Sequence, residues 1–174
     1  MRKQLWWMLA GVAACGPSDP STSYVARDPC AALTIDIPAA TPDQQSGIAD
    51  ALALWRGRGV AAFDLAQAGA APADPSSIQI RFDDASATFH GLYDPASSSV
   101  LINRDLVDRS MLAIVIAHEF GHVFGLEHIP VAARVSLMNP GNLATPPTDE
   151  DQRALEAMWG ACPPPTAPAA TGGR

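Results

Sequence analysis

Lysine is almost absent from this chain of 174 residues, and no cluster of other basic residues takes its place. Lys3 is the only lysine, arginine supplies the remaining basic side chains, and the formal net charge is −7. An acidic chain without a basic patch lacks the electrostatic footprint of a nucleic-acid-binding protein. We therefore expect no nucleic acid among its partners.

The apolar run at the N-terminus, Leu5 to Ala14, is too short to cross a bilayer, which takes about 20 residues. It follows two basic residues, an arrangement typical of an export signal. The run ends in Val12-Ala13-Ala14-Cys15, and small residues before a cysteine resemble the bacterial lipoprotein box. That resemblance implies cleavage before Cys15 and acylation of this cysteine. An ordinary secretory signal with a chance cysteine is the alternative.

The remaining composition divides the chain into four segments. We interpret residues 1–15 as the lipoprotein signal, 16–29 as a tether rich in Pro, Ser and Asp, 30–162 as one folded domain, and 163–174 as a disordered Pro/Ala/Gly tail. We expect an exported monomer, held at the cell envelope by the lipid on Cys15, on the outer membrane or the cell surface.

Only three cysteines are present, and Cys30 and Cys162 form a pair once Cys15 is assigned to the signal. They lie just before the first predicted strand and just after the last predicted helix. In an oxidising compartment this favours a disulfide that joins the two ends of the domain. Two unpaired thiols are the alternative.

Hydrophobic periodicity predicts an α+β domain. Alternation of apolar and polar residues predicts strands at 33–37, 77–82, 87–93 and 99–103, with a weaker candidate at 60–65. Three helices are also predicted. The first runs from Pro42 to about Arg58 with Thr41 as its N-cap, and the second is a buried helix over 111–124. The third begins with a capping box of Thr148 and Asp151, and its apolar face consists of Leu155, Met158 and Trp159.

The candidate site is the run His118-Glu119-Phe120-Gly121-His122-Val123-Phe124-Gly125-Leu126-Glu127-His128. Residues four apart lie on one face of a helix, so His118 and His122 can bind one ion. Gly125 can end the helix in the left-handed conformation and let His128 return to that ion. Three neutral imidazoles suit zinc and leave its fourth position for water, which marks a catalytic site.

Glu119 directly follows a predicted ligand, which puts its carboxylate beside the fourth position of the metal. We predict that it is the general base, which takes a proton from the water and passes it to the leaving amine. Satisfied core histidines are the simpler alternative. The full pattern, with its fixed Gly and third His, arises by chance in only roughly one such chain in several hundred thousand, which favours the metal site.

The run matches the zinc signature of the metzincin peptidases, H-E-x-x-H-x-x-G-x-x-H. The segment Ser136-Leu137-Met138-Asn139-Pro140 resembles their Met-turn, which places Met138 beneath the zinc ligands, and the ending Leu155 to Gly160 is similar to that of the matrixin branch. The resemblance implies a zincin domain with a twisted, mostly parallel sheet, an active-site helix, a Met-turn and a C-terminal helix. It also implies a zinc-dependent endopeptidase that holds one catalytic zinc and hydrolyses proteins or peptides at the bacterial cell envelope.

The same resemblance implies that Cys30 and Cys162 are neighbours, and that substrate binds as an added strand along the edge at Phe89 to Tyr93. It does not fix the shape of the specificity pocket. Gly141 and Asn142 lie in a region where matrixins usually carry a further tyrosine.

Three alternatives stay open. A non-catalytic, zinc-stabilised binding lipoprotein would keep the histidines and lose Glu119, which is present. Cys30 resembles faintly the inhibitory cysteine switch of matrixins, in which a thiolate blocks the zinc. Calcium is a second candidate cofactor at Asp83, Asp84 and Asp94, although solvated loop carboxylates are the simpler interpretation.

Overall fold

The computed structural model describes residues 26–60, 63–65 and 77–163. The lipoprotein box with Cys15, the tether up to residue 25 and the tail from residue 164 lie outside these ranges. What the sequence predicts for those segments therefore stays a prediction. None of the helices in the described part of the chain is long and apolar enough to span a membrane.

One mostly parallel sheet forms the first layer of the described fold. Its strands are β1 (Leu33–Asp36), β2 (Phe63–Leu65), β3 (Ile78–Asp83), β4 (Gly91–Asp94) and β5 (Ser99–Asn103). They lie in the order β2-β1-β3-β5-β4, and all pairs are parallel except β4 with β5. The predicted α+β class with a mostly parallel sheet is confirmed.

The prediction of a strand over 87–93 was wrong at its beginning, because β4 starts only at Gly91. Phe89 N–H donates to the Ser86 carbonyl at 2.9 Å and closes a turn there. The side-chain amide of Asn103 donates to the carbonyls of Ser86 and Phe89, at 3.2 and 2.9 Å. The Asn103 side chain therefore occupies backbone carbonyls that could otherwise accept hydrogen bonds from a neighbouring strand.

Three capped helices form the second layer: α1 (Pro42–Arg56), α2 (Arg109–Val123) and α3 (Asp149–Trp159). Thr41 begins α1 with a capping box to Gln44, and Thr148 begins α3 with a capping box to Asp151. Each box satisfies backbone N–H groups that the first turn of a helix leaves without partners.

Close packing of α1 against α2 holds the site-bearing helix in the core. A Cβ at Gly47 of α1 would lie 2.6 Å from Leu112 Cδ2, so a larger residue there would displace the Leu112 side chain. The indole N–H of Trp55 donates to the Ala117 carbonyl at 2.9 Å. As a result α2 is buried on nearly all sides.

The last helix packs less of its apolar face than the sequence suggested. Leu155 is buried, whereas Met158 is 49% exposed and Trp159 is 37% exposed. Trp159 is held instead by its indole N–H, which donates to the Phe124 carbonyl at 3.0 Å. A directed hydrogen bond therefore joins the end of α3 to the residue that follows α2.

A disulfide between Cys30 and Cys162 joins the two ends of the domain, with their Cα atoms 5.0 Å apart. A sulfur in this bond is not available as the thiolate that a cysteine switch needs.

Replacing both cysteines by serine is expected to lower the melting temperature by on the order of 10 °C. The bond spans 132 residues of sequence, for which the chain-entropy description gives about 5 kcal/mol as an upper figure. Calorimetry of oxidised, reduced and double-serine protein measures the effect. Equal melting temperatures for all three would contradict it.

Candidate metal centre

A helix and the turn after it bring the three histidines of the motif together. His118 and His122 lie on α2, which ends at Val123. Gly125 follows with φ of +95°, the left-handed region that favours glycine, and Leu126 N–H donates to the Gly121 carbonyl at 2.8 Å. This turn sends the chain back toward the helix and positions His128.

The imidazole nitrogens of the three histidines lie within 4.8 Å of one another, and two of their separations are close to those of a tetrahedral zinc site. His128 Nε2 lies 3.1 Å from His118 Nε2 and 3.2 Å from His122 Nε2. Two nitrogens that each lie about 2.0–2.1 Å from a tetrahedral zinc are about 3.3 Å apart. Within the described residues these histidines form the one group of three or more side chains placed to bind a metal.

Backbone carbonyls set the tautomer of two of these rings. His118 Nδ1 lies 2.8 Å from the Leu137 carbonyl oxygen, and His122 Nδ1 lies 2.8 Å from that of Leu126. A carbonyl only accepts, so each Nδ1 carries the proton and each Nε2 presents a lone pair. These two lone pairs and His128 Nε2 converge, and three imidazole nitrogens are a donor set that zinc takes, so the residues fit zinc.

Burial keeps the same rings neutral. It lowers the pKa of His118 to about 4 and the pKa of His122 to about 3, and it lowers the pKa of His128 as well. Neutral imidazole is the form that binds a metal. At neutral pH, His118 and His122 therefore have no proton to release before they bind a metal.

Glu119 is buried beside the histidines, under the edge strand β4. Its Oε2 accepts from the Tyr93 backbone N–H at 2.8 Å, and a Cβ at Gly91 would lie 3.1 Å from its Oε1. Burial raises the pKa of Glu119 to about 8, and the Tyr93 hydrogen bond opposes that rise. A cation at the histidines would favour the carboxylate and lower this pKa again.

A recess of about 10 Å³ opens beside Glu119 and His118, which is room for about one water molecule. His90, to which the sequence assigned no role, lines this recess. Its Nδ1 is buried and has no hydrogen-bond partner among the described residues. Leu143, also unassigned from sequence, lies at the opposite wall.

Met138 packs directly beneath α2, as the Met-turn resemblance implies. A Cβ at Gly121 would lie 2.3 Å from Met138 Sδ, so the glycine of the motif makes room for the methionine. The Met138 carbonyl accepts from Ile129 N–H at 2.9 Å and ties the turn to the segment after His128.

Asp151 anchors this turn from the other side, a contact beyond its predicted role as a cap. Its buried carboxylate accepts from Ser136 Oγ and from Leu137 N–H, the latter at 3.0 Å. The Leu137 carbonyl in turn accepts from His118 Nδ1. A chain of hydrogen bonds therefore runs from the first turn of α3 to a metal ligand, which is the support that metal-binding histidines commonly have.

The three aspartates considered as calcium ligands make separate contacts. Asp83 pairs with Arg81 at 3.3 Å and Asp84 with Arg104 at 3.2 Å. Asp94 accepts from two groups of its own turn. The structure does not bring their carboxylates together as one set of ligands.

The described domain combines an α+β fold with a three-histidine centre on a buried helix and a methionine turn beneath it, the arrangement that the metzincin resemblance implies. No family model matches the chain, and no curated protein matches it in sequence.

Among solved structures, the chain is similar to one described as the structure of myroilysin. The two are 14% identical with a TM-score of 0.52, over 74% of this chain and 92% of that one. A crystal structure of myroilysin gives 16% identity and a TM-score of 0.47, over 91% of this chain and 74% of that one. At 14% identity, the similarity to the first of these structures shows that the two chains share a fold.

Proposed function

We propose that this protein is a zinc-dependent endopeptidase that cleaves proteins or peptides at the bacterial cell envelope. One observation carries the proposal. Two histidine Nε2 atoms with fixed lone pairs converge with a third, and a buried glutamate lies beside them. The coordination set leaves room for a water, and the glutamate is placed to move its proton.

Each residue has a distinct task in this reaction. His118, His122 and His128 would hold zinc, which acidifies a bound water and polarises the scissile carbonyl. Glu119 takes the proton of the attacking water and delivers it to the leaving amine. The Tyr93 N–H holds the Glu119 carboxylate in place for both transfers.

The sheet edge beside the site supports a peptide as the substrate. β4 is the last strand of the sheet, and Gly91 and Tyr93 of this strand contact Glu119. An extended peptide added along an edge strand gains backbone hydrogen bonds that do not depend on its sequence. Such a peptide would run past the catalytic glutamate.

The proposed location rests on the sequence of the N-terminal segment. The box that ends in Cys15 supports a lipid anchor at the envelope, with the domain outside the cytoplasm. The disulfide between Cys30 and Cys162 suits that oxidising location.

Removing zinc tests the activity itself. Purified domain should carry about one zinc per chain and hydrolyse a mixed peptide library. A chelator should abolish hydrolysis and lower the melting temperature, because a ligand that binds only the folded state stabilises it, and added zinc should restore both. Unchanged hydrolysis by protein shown to be free of zinc would overturn the proposal.

A further inference from the structure

Two donors from outside α2 bind the carbonyls at its C-terminal end. The backbone N–H of Arg27 donates to the Val123 carbonyl at 2.8 Å, and the indole N–H of Trp159 donates to the Phe124 carbonyl at 3.0 Å. The last carbonyls of a helix have no donor within the helix itself. Two distant parts of the chain therefore complete the hydrogen bonding at the end of α2.

The residues next to these two donors contact the turn that positions the third histidine. Gly125, with φ of +95°, reverses the chain between His122 and His128. A Cβ at this glycine would lie 2.9 Å from Ala26 Cβ and 4.0 Å from Met158 Sδ. A displacement of these two segments would therefore move the turn, and with it His128 relative to His122.

The disulfide joins the same two segments to each other. Cys30 follows Arg27 by three residues, and Cys162 follows Trp159 by three residues. Both cysteines are half-buried, and Cys162 lines a cavity of about 140 Å³, so a thiol reagent has room beside the bond. One covalent bond therefore holds both donors at the end of the helix that carries the site.

Without this bond both segments would be loose ends of the domain. Arg27 precedes the first strand, and Trp159 is the last residue of the last helix. Terminal segments have low local stability unless they are tied down. Breaking the disulfide therefore makes both hydrogen bonds easier to open, and the turn at Gly125 loses its support. Metal ligands that are held less firmly bind the metal more weakly.

We propose that the disulfide between Cys30 and Cys162 is a redox control of the metal centre, so that the chain binds zinc tightly only once this bond has formed. The inference rests on the proposed function and adds its regulation. In a reducing compartment both thiols stay free and zinc is held weakly. After export, exchange with the disulfide of another molecule forms the Sγ–Sγ bond, while the S–S bond of that molecule breaks and takes up two electrons and two protons.

The zinc affinities of oxidised and reduced protein test this control. In competition with a chromophoric chelator at neutral pH, a phosphine reductant should weaken zinc binding by wild type roughly 10-fold. The variant that carries both Cys30→Ser and Cys162→Ser should bind zinc as weakly as reduced wild type, with or without the reductant, which excludes an effect of the reagent itself. Mass spectrometry of alkylated protein verifies each redox state.

Trp159→Phe tests the route from the disulfide to the metal ligands. It keeps an aromatic ring and removes the indole N–H that binds the Phe124 carbonyl. Zinc binding by the oxidised variant should weaken roughly 3- to 10-fold. The matched control is Gly47→Ala, which displaces Leu112 in the first turn of α2, at the opposite end of this helix. This control should lose stability and keep the zinc affinity of oxidised wild type.

Two results would contradict the proposal: equal zinc affinities of oxidised and reduced wild type, or equal losses of affinity in Trp159→Phe and Gly47→Ala. Should the reduced protein unfold, the comparison of these two oxidised variants alone decides. The measurements do not depend on hydrolysis. A redox-dependent affinity in a protein that cleaves no peptide would support the control and remove the proposed function, whereas hydrolysis with equal affinities would do the reverse.

Discussion

Replacing Glu119 by glutamine is expected to reduce kcat for peptide hydrolysis by roughly 10²- to 10⁴-fold, with zinc content and fold unchanged. The amide keeps an oxygen that can accept from the Tyr93 N–H, so the side chain stays in place. It has no basic site for the proton of the attacking water. Kinetics on one peptide substrate, together with zinc analysis of the same samples, measure the effect.

Glu127→Gln is the matched control, because it makes the same change at an exposed position within the same motif. It should retain near-normal turnover. A Glu119→Gln enzyme that also turns over normally would show that another group is the base.

Without zinc, the Glu119→Gln variant is also expected to differ from wild type in how its stability depends on pH. Burial raises the pKa of Glu119 to about 8, so this carboxyl favours the folded state most fully below its ordinary pKa of 4.5. That contribution is lost as the pH rises through about 8. Glutamine has no proton to lose, so as the pH rises from about 4.5 to about 8 the melting temperature of the zinc-free variant should fall less than that of the zinc-free wild type.

Replacing His122 by alanine is expected to weaken zinc binding by more than about 100-fold, because it removes one of three protein ligands. It also leaves the Leu126 carbonyl without its side-chain donor, at a cost of about 1 kcal/mol. Competition with a chromophoric chelator at neutral pH measures the affinity.

His90→Ala is the control for this change, since His90 lines the recess but is not part of the three-histidine group. It should keep the zinc affinity of wild type. Full zinc retention by His122→Ala, or equal losses in both variants, would exclude the proposed ligand set.

Most of the correct predictions depended on the spacing of residues that lie close together in the chain. The four-residue interval between His118 and His122 needs only helix geometry, and α2 supplies it. The caps at Thr41 and Thr148 depend on partners three residues away, so they too could be recognised along the chain. The α+β fold with its mostly parallel sheet is confirmed for the same reason, since alternation marks each strand separately.

Contacts between distant residues could not be predicted in the same way. Asn103 ends the pairing before β4 by donating to carbonyls 14 and 17 residues earlier, and no periodic pattern announces such a bond. Asp151 has the sequence signal of a cap, and nothing in that signal indicates its bond to Leu137. The recess beside Glu119 is lined by residues from three separate parts of the chain, so only the assembled fold defines it.

The carbonyl oxygen of Leu137 has a consequence for how this protein can diversify. It accepts from His118 Nδ1 at 2.8 Å and from Asn142 Nδ2 at 3.0 Å, so one peptide group serves both the metal ligand and the wall of the recess. A substitution that displaces this peptide group would therefore disturb both the predicted metal ligand and the segment Gly141 to Leu143 that lines the recess, so the two cannot be varied independently.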